Sequence, residues 1–262
     1  MTILKHEFRQ SRKALLLWAL IIGALLSVSI LLFPEMKGEM AKAGDMFADM
    51  GSFTAAFGMD KLNFAEYDGY YAVECANVLG LGGAFFAAFC AVGALSGEEK
   101  NRTAEFLLTH PVKRTDVLTQ KLLSILLRLI AFNLAVFSLS LLSTALVGEK
   151  IPWKVFLLMH AAFFLMQTEI AGICFGISAF MSRESLGVGL GLAMLLYFIN
   201  IVSNLAEPAK FLKYLTPFGY CEGSSIVNDG ALDGVKILIG FALGAAGIAA
   251  AYYRYLRKDI RA

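Results

Sequence analysis

The sequence predicts an all-α, polytopic membrane protein with six transmembrane helices, and three observations carry that reading. Of its 262 residues, 58% are hydrophobic and only 17% are charged. Mean hydropathy is +0.67, more apolar than a soluble chain of this length can bury, so lipid must form part of its solvent. The apolar residues are gathered into six runs, at 14–33, 76–96, 122–147, 155–181, 186–205 and 235–253, each able to cross a hydrocarbon core of about 30 Å. Finally, the runs are continuous rather than alternating. A continuous apolar segment in lipid must satisfy its backbone within itself, which a helix does.

The elements follow in order. The first run comes after a basic stretch holding Lys5, Arg9, Arg12 and Lys13, and at about 20 residues it is too long for the apolar part of a cleaved signal. It reads as a retained helix. Segment 34–71, which begins at Pro34, is acidic and contains Gly, Met and Phe; it predicts short interfacial helices on the outer surface. The second run leads into 97–121, the most charged stretch of the chain, and Thr115 and Asp116 supply N-terminal capping chemistry for the third span. The fourth and fifth runs follow at short intervals. Segment 206–234 then mixes aromatics with Pro208, Pro217 and Gly219, the composition of a re-entrant or interfacial hairpin. The whole of 1–262 reads as one transmembrane domain with no soluble domain.

Orientation follows from the basic residues. With the N-terminus inside, fourteen Lys and Arg fall in inner segments and seven in the outer ones, which places both termini in the cytoplasm. The net charge of +2, spread along the chain, excludes a nucleic-acid surface built on a dense basic stripe. Four scattered cysteines and three histidines make no zinc pattern. No metal site and no bound cofactor are expected.

A charged or amide side chain inside a span is costly, about 2.5–3.5 kcal/mol for a charge at mid-bilayer on insertion scales, and marks a candidate site. The candidates are Glu169 with its neighbour Gln167 in the fourth span, Arg128 and Asn133 in the third, and Asn200 in the fifth. Glu169 either lines a path or ties helices together. Arg128, about two turns from the inner end, can snorkel outward. Asn133 and Asn200 suit interhelical hydrogen bonds. Gly172 with Gly176 and Gly240 with Gly244 offer close-approach surfaces for a dimer seam. Cys75 and Cys221 fall on the same outer side, where a disulfide is permitted.

The inner segment has a pattern of its own. Glu98 and Arg102 stand four apart, Ala104, Leu107 and Leu108 share a stripe, and Pro111 stops the helix. This is a short amphipathic helix suited to docking on a partner. The pattern Glu98-Glu99-Lys100, Thr103, Glu105, Leu107-Leu108, Pro111-Val112 and Arg114 resembles the cytoplasmic segment between the second and third spans of ABC-2-type transporter permeases. The basic amphipathic stretch before the first span is similar to that family's interfacial entry helix. Tyr214-Leu215-Thr216-Pro217-Phe218-Gly219-Tyr220 resembles its outer Pro-Phe element.

The resemblance implies a permease subunit of an exporter, multi-pass in the plasma membrane, specifically a bacterial inner membrane. It implies two permease copies, alike or different, driven by separate ATPase subunits that use ATP and Mg. In that reading Glu98, Glu99, Arg102, Thr103, Glu105, Phe106, Leu107, Leu108, Pro111 and Arg114 form the contact with the ATPase. The chain has no GxxxxGK[ST] loop to cradle nucleotide phosphates, so hydrolysis is expected on another chain and this one is not expected to be an enzyme. The alternative reading is a membrane scaffold or channel without a coupled ATPase. An intramembrane protease is more distant: Phe156 and His160 have one of the spacings it needs, but Glu98-Glu99 is followed by Arg102 after two residues rather than three.

Overall fold

The computed structural model of the chain describes residues 2–49, 54, 56, 62–97, 113–182 and 185–257, and side-chain placement excludes residues 2 and 39–49. All regular structure among the described residues is helical. Six stretches are long and apolar enough to cross a membrane: Arg12–Gly38, Tyr67–Val92, Arg114–Val147, Trp153–Phe180, Leu186–Leu205 and Gly234–Arg257. The protein is therefore all-α with six membrane-spanning helices.

In chain order the elements are α1 (Thr2–Gln10), α2 (Arg12–Asp49), α3 (Tyr67–Cys75), a π-helical turn (Ala76–Gly80), α4 (Leu81–Val92), α5 (Arg114–Val147), α6 (Trp153–Phe180) and α7 (Leu186–Leu205). Two 3-10 stretches, Glu207–Tyr214 and Pro217–Tyr220, precede α8 (Gly223–Asp229) and α9 (Gly234–Arg257). α6 is the centre: α9 packs along it, α4 lies against it and α5 touches it. α2 packs along α5, and α7 against α4.

Three elements depart from the hydropathy reading, each for a physical reason. Pro34 does not end α2, which runs through it to Asp49. A proline removes one backbone donor and crowds the preceding turn, and neighbouring side chains help a membrane helix absorb the loss. Here Tyr70 donates its hydroxyl to Ser29 O at 2.7 Å, one residue before Ile30, whose carbonyl loses its helical donor at Pro34. The second spanning helix starts at Tyr67, not at 76, because its three tyrosines are buried bodies with satisfied hydroxyls. Tyr67 pairs with Thr144 at 2.6 Å and Tyr71 with His160 at 2.8 Å. Apolar averaging undervalues such side chains. α5 starts at Arg114, so Thr115 and Asp116 lie within its first turn; Lys113 holds the cap position without a side-chain bond.

α1, the start of α5 and the end of α9 meet at one end of the bundle. Lys121 Nζ contacts Glu7 Oε1 at 2.8 Å, and Arg114 Nη1 donates to Tyr255 O at 3.3 Å. This terminal end also receives the end of α4, where Leu95 N and Ser96 N both donate to Ser178 Oγ of α6, at 2.9 and 3.2 Å. The opposite, far end carries the α5–α6 turn and segment 206–233.

Candidate functional site

α6 presents polar groups to two different neighbours. On one side Asn133 of α5 donates through Nδ2 to Gln167 Oε1 at 2.6 Å and to Leu129 O at 2.8 Å. Gly83 of α4 makes room for this pair: a Cβ there would stand 2.3 Å from Gln167 Nε2. An amide pair satisfied between α5 and α6 fixes the register of the two helices.

On the other side Glu169 faces α9. Its Oε2 accepts from the Tyr220 hydroxyl at 3.1 Å, and a Cβ on Gly240 would lie 2.1 Å from that same oxygen. The carboxyl thus fills the space that Gly240 leaves. Below it the two backbones touch: a Cβ at Gly172 would meet Gly244 O at 2.8 Å, and one at Gly176 would meet Gly247 O at 2.6 Å. Gly172, Gly176, Gly240 and Gly244, read from sequence as surfaces for a second chain, are used within this one to close α6 on α9.

Tyr220 belongs to a buried element, Pro217–Tyr220. Thr216 Oγ1 donates to Leu196 O of α7 at 2.8 Å, and Lys236 Nζ of α9 to Gly219 O at 3.4 Å. The Phe218 ring meets Tyr197 edge-on at 5.4 Å. Burial raises the Tyr220 phenol well above its usual range, and burial likewise raises the Cys221 thiol beside it. Beside this element lies a cavity of about 50 Å³ whose lining includes Asn77, Tyr197, Asn200, Asn204, Phe218 and Glu222. Asn200 does not form the interhelical bond expected of it; its Oδ1 has no partner among the described residues. Glu222 is engaged, accepting from Lys213 Nζ at 2.6 Å.

Arg128 is 7% exposed and is held by Ser124 O at 3.2 Å, Ser11 Oγ at 3.1 Å and Cys90 O at 3.5 Å. It therefore ties α5 to α4 and to the α1–α2 junction instead of reaching the surface. All four cysteines are free and buried, Cys75 and Cys221 included, and Cys221 Sγ donates to Pro217 O at 3.4 Å. His160 sits in an aromatic box with Phe137 and Phe156 and bonds to Tyr71, a packing position in this fold. Of the inner-segment residues expected to contact the ATPase, only Arg114 falls among those described. Glu98, Glu99, Arg102, Thr103, Glu105, Phe106, Leu107, Leu108 and Pro111 lie outside them.

A family model described as ABC-2 family transporter protein matches residues 1–260. The chain belongs to that family. No curated protein matches it at a significant level. The match spans all six apolar helices, so the chain is a multi-pass membrane protein and an ABC-type permease subunit.

Within the permease, the sequence pointed to Glu169, Gln167 and Asn133 because polar groups stand out in apolar runs. Their partners were not visible. Tyr220 lies 51 residues from Glu169, and nothing in local spacing links an outer-segment tyrosine to a mid-helix acid. Gly240 was readable as part of a close-approach spacing and Gly83 only as a small residue in a helix, yet each is the complement of one polar side chain.

Proposed function

We propose that this permease forms, as a pair of chains, the membrane pathway of an exporter driven by separate ATPase subunits that bind ATP and Mg. The observation that carries the reading is the family match along nearly the whole chain. The sequence holds no phosphate loop, so nucleotide chemistry is assigned to the partner. The membrane is assigned as a plasma membrane, a bacterial inner membrane, with the terminal end in the cytoplasm on the basic-residue count.

The ATPase contact is assigned to 98–114. Glu98, Glu99, Arg102, Thr103 and Glu105 offer polar contacts, Phe106, Leu107 and Leu108 an apolar anchor, and Pro111 the stop. Arg114 supports this assignment by its place: it opens α5 and reaches Tyr255 O near the end of α9. A push delivered there enters two spanning helices together. Contact alone does not drive transport; the ATPase states must bind this segment with different affinity.

The test is co-purification from native membranes in mild detergent. A nucleotide-binding subunit is expected in equal amount, with the association weakened when Glu98→Lys and Glu99→Lys are combined. A chain that purifies alone under conditions preserving other complexes would overturn the proposal and leave the scaffold or channel reading. An unchanged association in the double variant would remove the docking role from these two residues.

A further inference from the structure

The Glu169 carboxyl stands apart from the other charged groups of the bundle. It is 4% exposed, it lies in a helix long and apolar enough to span, and among the described residues it receives one hydrogen bond, from Tyr220 at 3.1 Å. Arg128 by contrast has three acceptors, and Lys121 has Glu7.

The titratable groups around Glu169 can be taken element by element. The Pro217–Tyr220 element and its continuation present Tyr220 and Cys221. Behind Cys221, α3 contributes the Cys75 thiol. α9 presents Gly240 and Gly244. Its nearest charge along the helix is Lys236, one turn before Gly240, which is spent on Asp233 Oδ2 at 3.2 Å and Gly219 O at 3.4 Å. α7 reaches the same element through the Tyr197 ring. On α6 itself, His160 is turned to Tyr71, and Cys174 is buried. No cation among these stands in hydrogen-bond contact with the carboxyl. An ionised carboxylate buried with a single neutral donor is costly, and a bound proton removes that cost.

We propose that Glu169 is a proton-binding site that latches the Pro217–Tyr220 element: the carboxyl carries a proton while Tyr220 is seated, and its loss of that proton unseats the element from α6. The proton passes to water, leaving a carboxylate and a hydronium ion. The cavity lined by Asn200, Phe218, Cys221 and Glu222 flanks the element; its lining includes neither Glu169 nor Tyr220, so water reaches the carboxyl from it as the element shifts. Once charged, Glu169 is a stronger acceptor for the Tyr220 hydroxyl, but one bond does not replace the hydration that a buried carboxylate lacks, and opening the seam to water is favoured. The inference rests on the membrane-spanning reading of α6 and is independent of the ATPase assignment, so its test needs no partner chain and no cargo.

The experiment uses the full chain in detergent and has two readouts. The first is modification by dicyclohexylcarbodiimide, which attacks protonated carboxyls in apolar surroundings, mapped by peptide mass spectrometry from about pH 5 to about pH 9. The peptide bearing Glu169 is expected to be modified at low pH, with a limb falling about tenfold per pH unit above the titration. The second is protection of Cys221, which the element buries, against a maleimide, with rates normalised to the unfolded chain to remove the thiol's own ionisation. Protection is expected to fall as pH rises in the wild type and to stay constant in Glu169→Gln, which keeps the shape and cannot ionise. Absence of modification at Glu169 throughout the range would overturn the proposal. So would Cys221 protection in the wild type that does not change with pH, the result expected of a purely structural carboxyl.

Discussion

Gly176→Ala tests the seam that holds α9 on α6. The new Cβ would sit 2.6 Å from Gly247 O and 2.9 Å from Gly247 Cα. Ordinary contact begins near 3.4 Å, so the two backbones must separate by roughly 0.8 Å at this level, and neither side has a flexible side chain that can yield. Overpacking of this kind costs about 1–3 kcal/mol, while replacing a mid-helix glycine by alanine returns about 0.5–1 kcal/mol. The net expectation is a loss of about 1–2 kcal/mol. For a chain of this size that corresponds to a fall of the order of 5 °C in the melting temperature, measured by thermal unfolding in detergent. The control is Gly191→Ala on α7, where a Cβ would meet nothing within 4 Å; it is expected to be neutral or slightly stabilising. A Gly176→Ala protein as stable as the control would refute the close approach of α6 and α9.

Asn133→Leu and Gln167→Leu are each expected to destabilise by about 1–2 kcal/mol, because each leaves the other amide buried without its partner. The double variant should cost less than the sum, and a double-mutant cycle in detergent unfolding measures the coupling. Asp233 caps α9, accepting from Val235 N at 3.0 Å and Lys236 N at 3.3 Å. Burial raises its pKa, but the Lys236 side chain and these backbone donors together prevail and hold it below the usual carboxylate value. With the folded value below the unfolded one, the stabilisation is present above the unfolded pKa and lost as pH falls through the folded one. The stability difference between wild type and Asp233→Ala should therefore shrink in acid, read from melting temperatures on a pH series. Arg128→Leu is expected to loosen the α1–α2 junction, where Ser11 holds the guanidinium, and limited proteolysis near residue 10 should accelerate.

How far the sequence reaches depends on whether a feature is local. The spanning helices were legible because a run of apolar residues is a one-dimensional signal that lipid enforces directly. The starts of the second and third spans were not, because Tyr67, Tyr70 and Lys121 are buried only by virtue of partners in other helices: Thr144, Ser29 and Glu7. Asn133 and Gln167 could each be singled out, yet not paired with each other. The glycines show the limit most clearly. A Gly-x-x-x-Gly spacing says that a helix can be approached closely, and the same four residues serve equally well for a second chain or for a neighbouring helix of the same one. Only the fold decides, and it uses them internally.

The distribution of polarity among the spanning helices argues for where motion can be accommodated. α6 is the least apolar of the six, and it and Tyr67–Val92 are the two most buried, about two thirds against one third for the first. Polar residues are thus carried by a helix that lipid sees little of, which is where interhelical partners can satisfy them. α6 holds its neighbours by two contrasting means. Toward α5 and α4 it offers an amide pair that is bonded both ways and lacks a titratable group. Toward α9 and the Pro217–Tyr220 element it offers a backbone seam without side chains and one carboxyl with one donor. The first contact resists a change in the surroundings, because neither amide can alter its charge. The second depends on a titratable group, and among the described residues its one side-chain hydrogen bond is that from Tyr220 to Glu169. A shift of the far-end element away from α6 breaks the Tyr220–Glu169 bond and strains the Thr216–Leu196 bond to α7, while the amide pair between α5 and α6 is left intact.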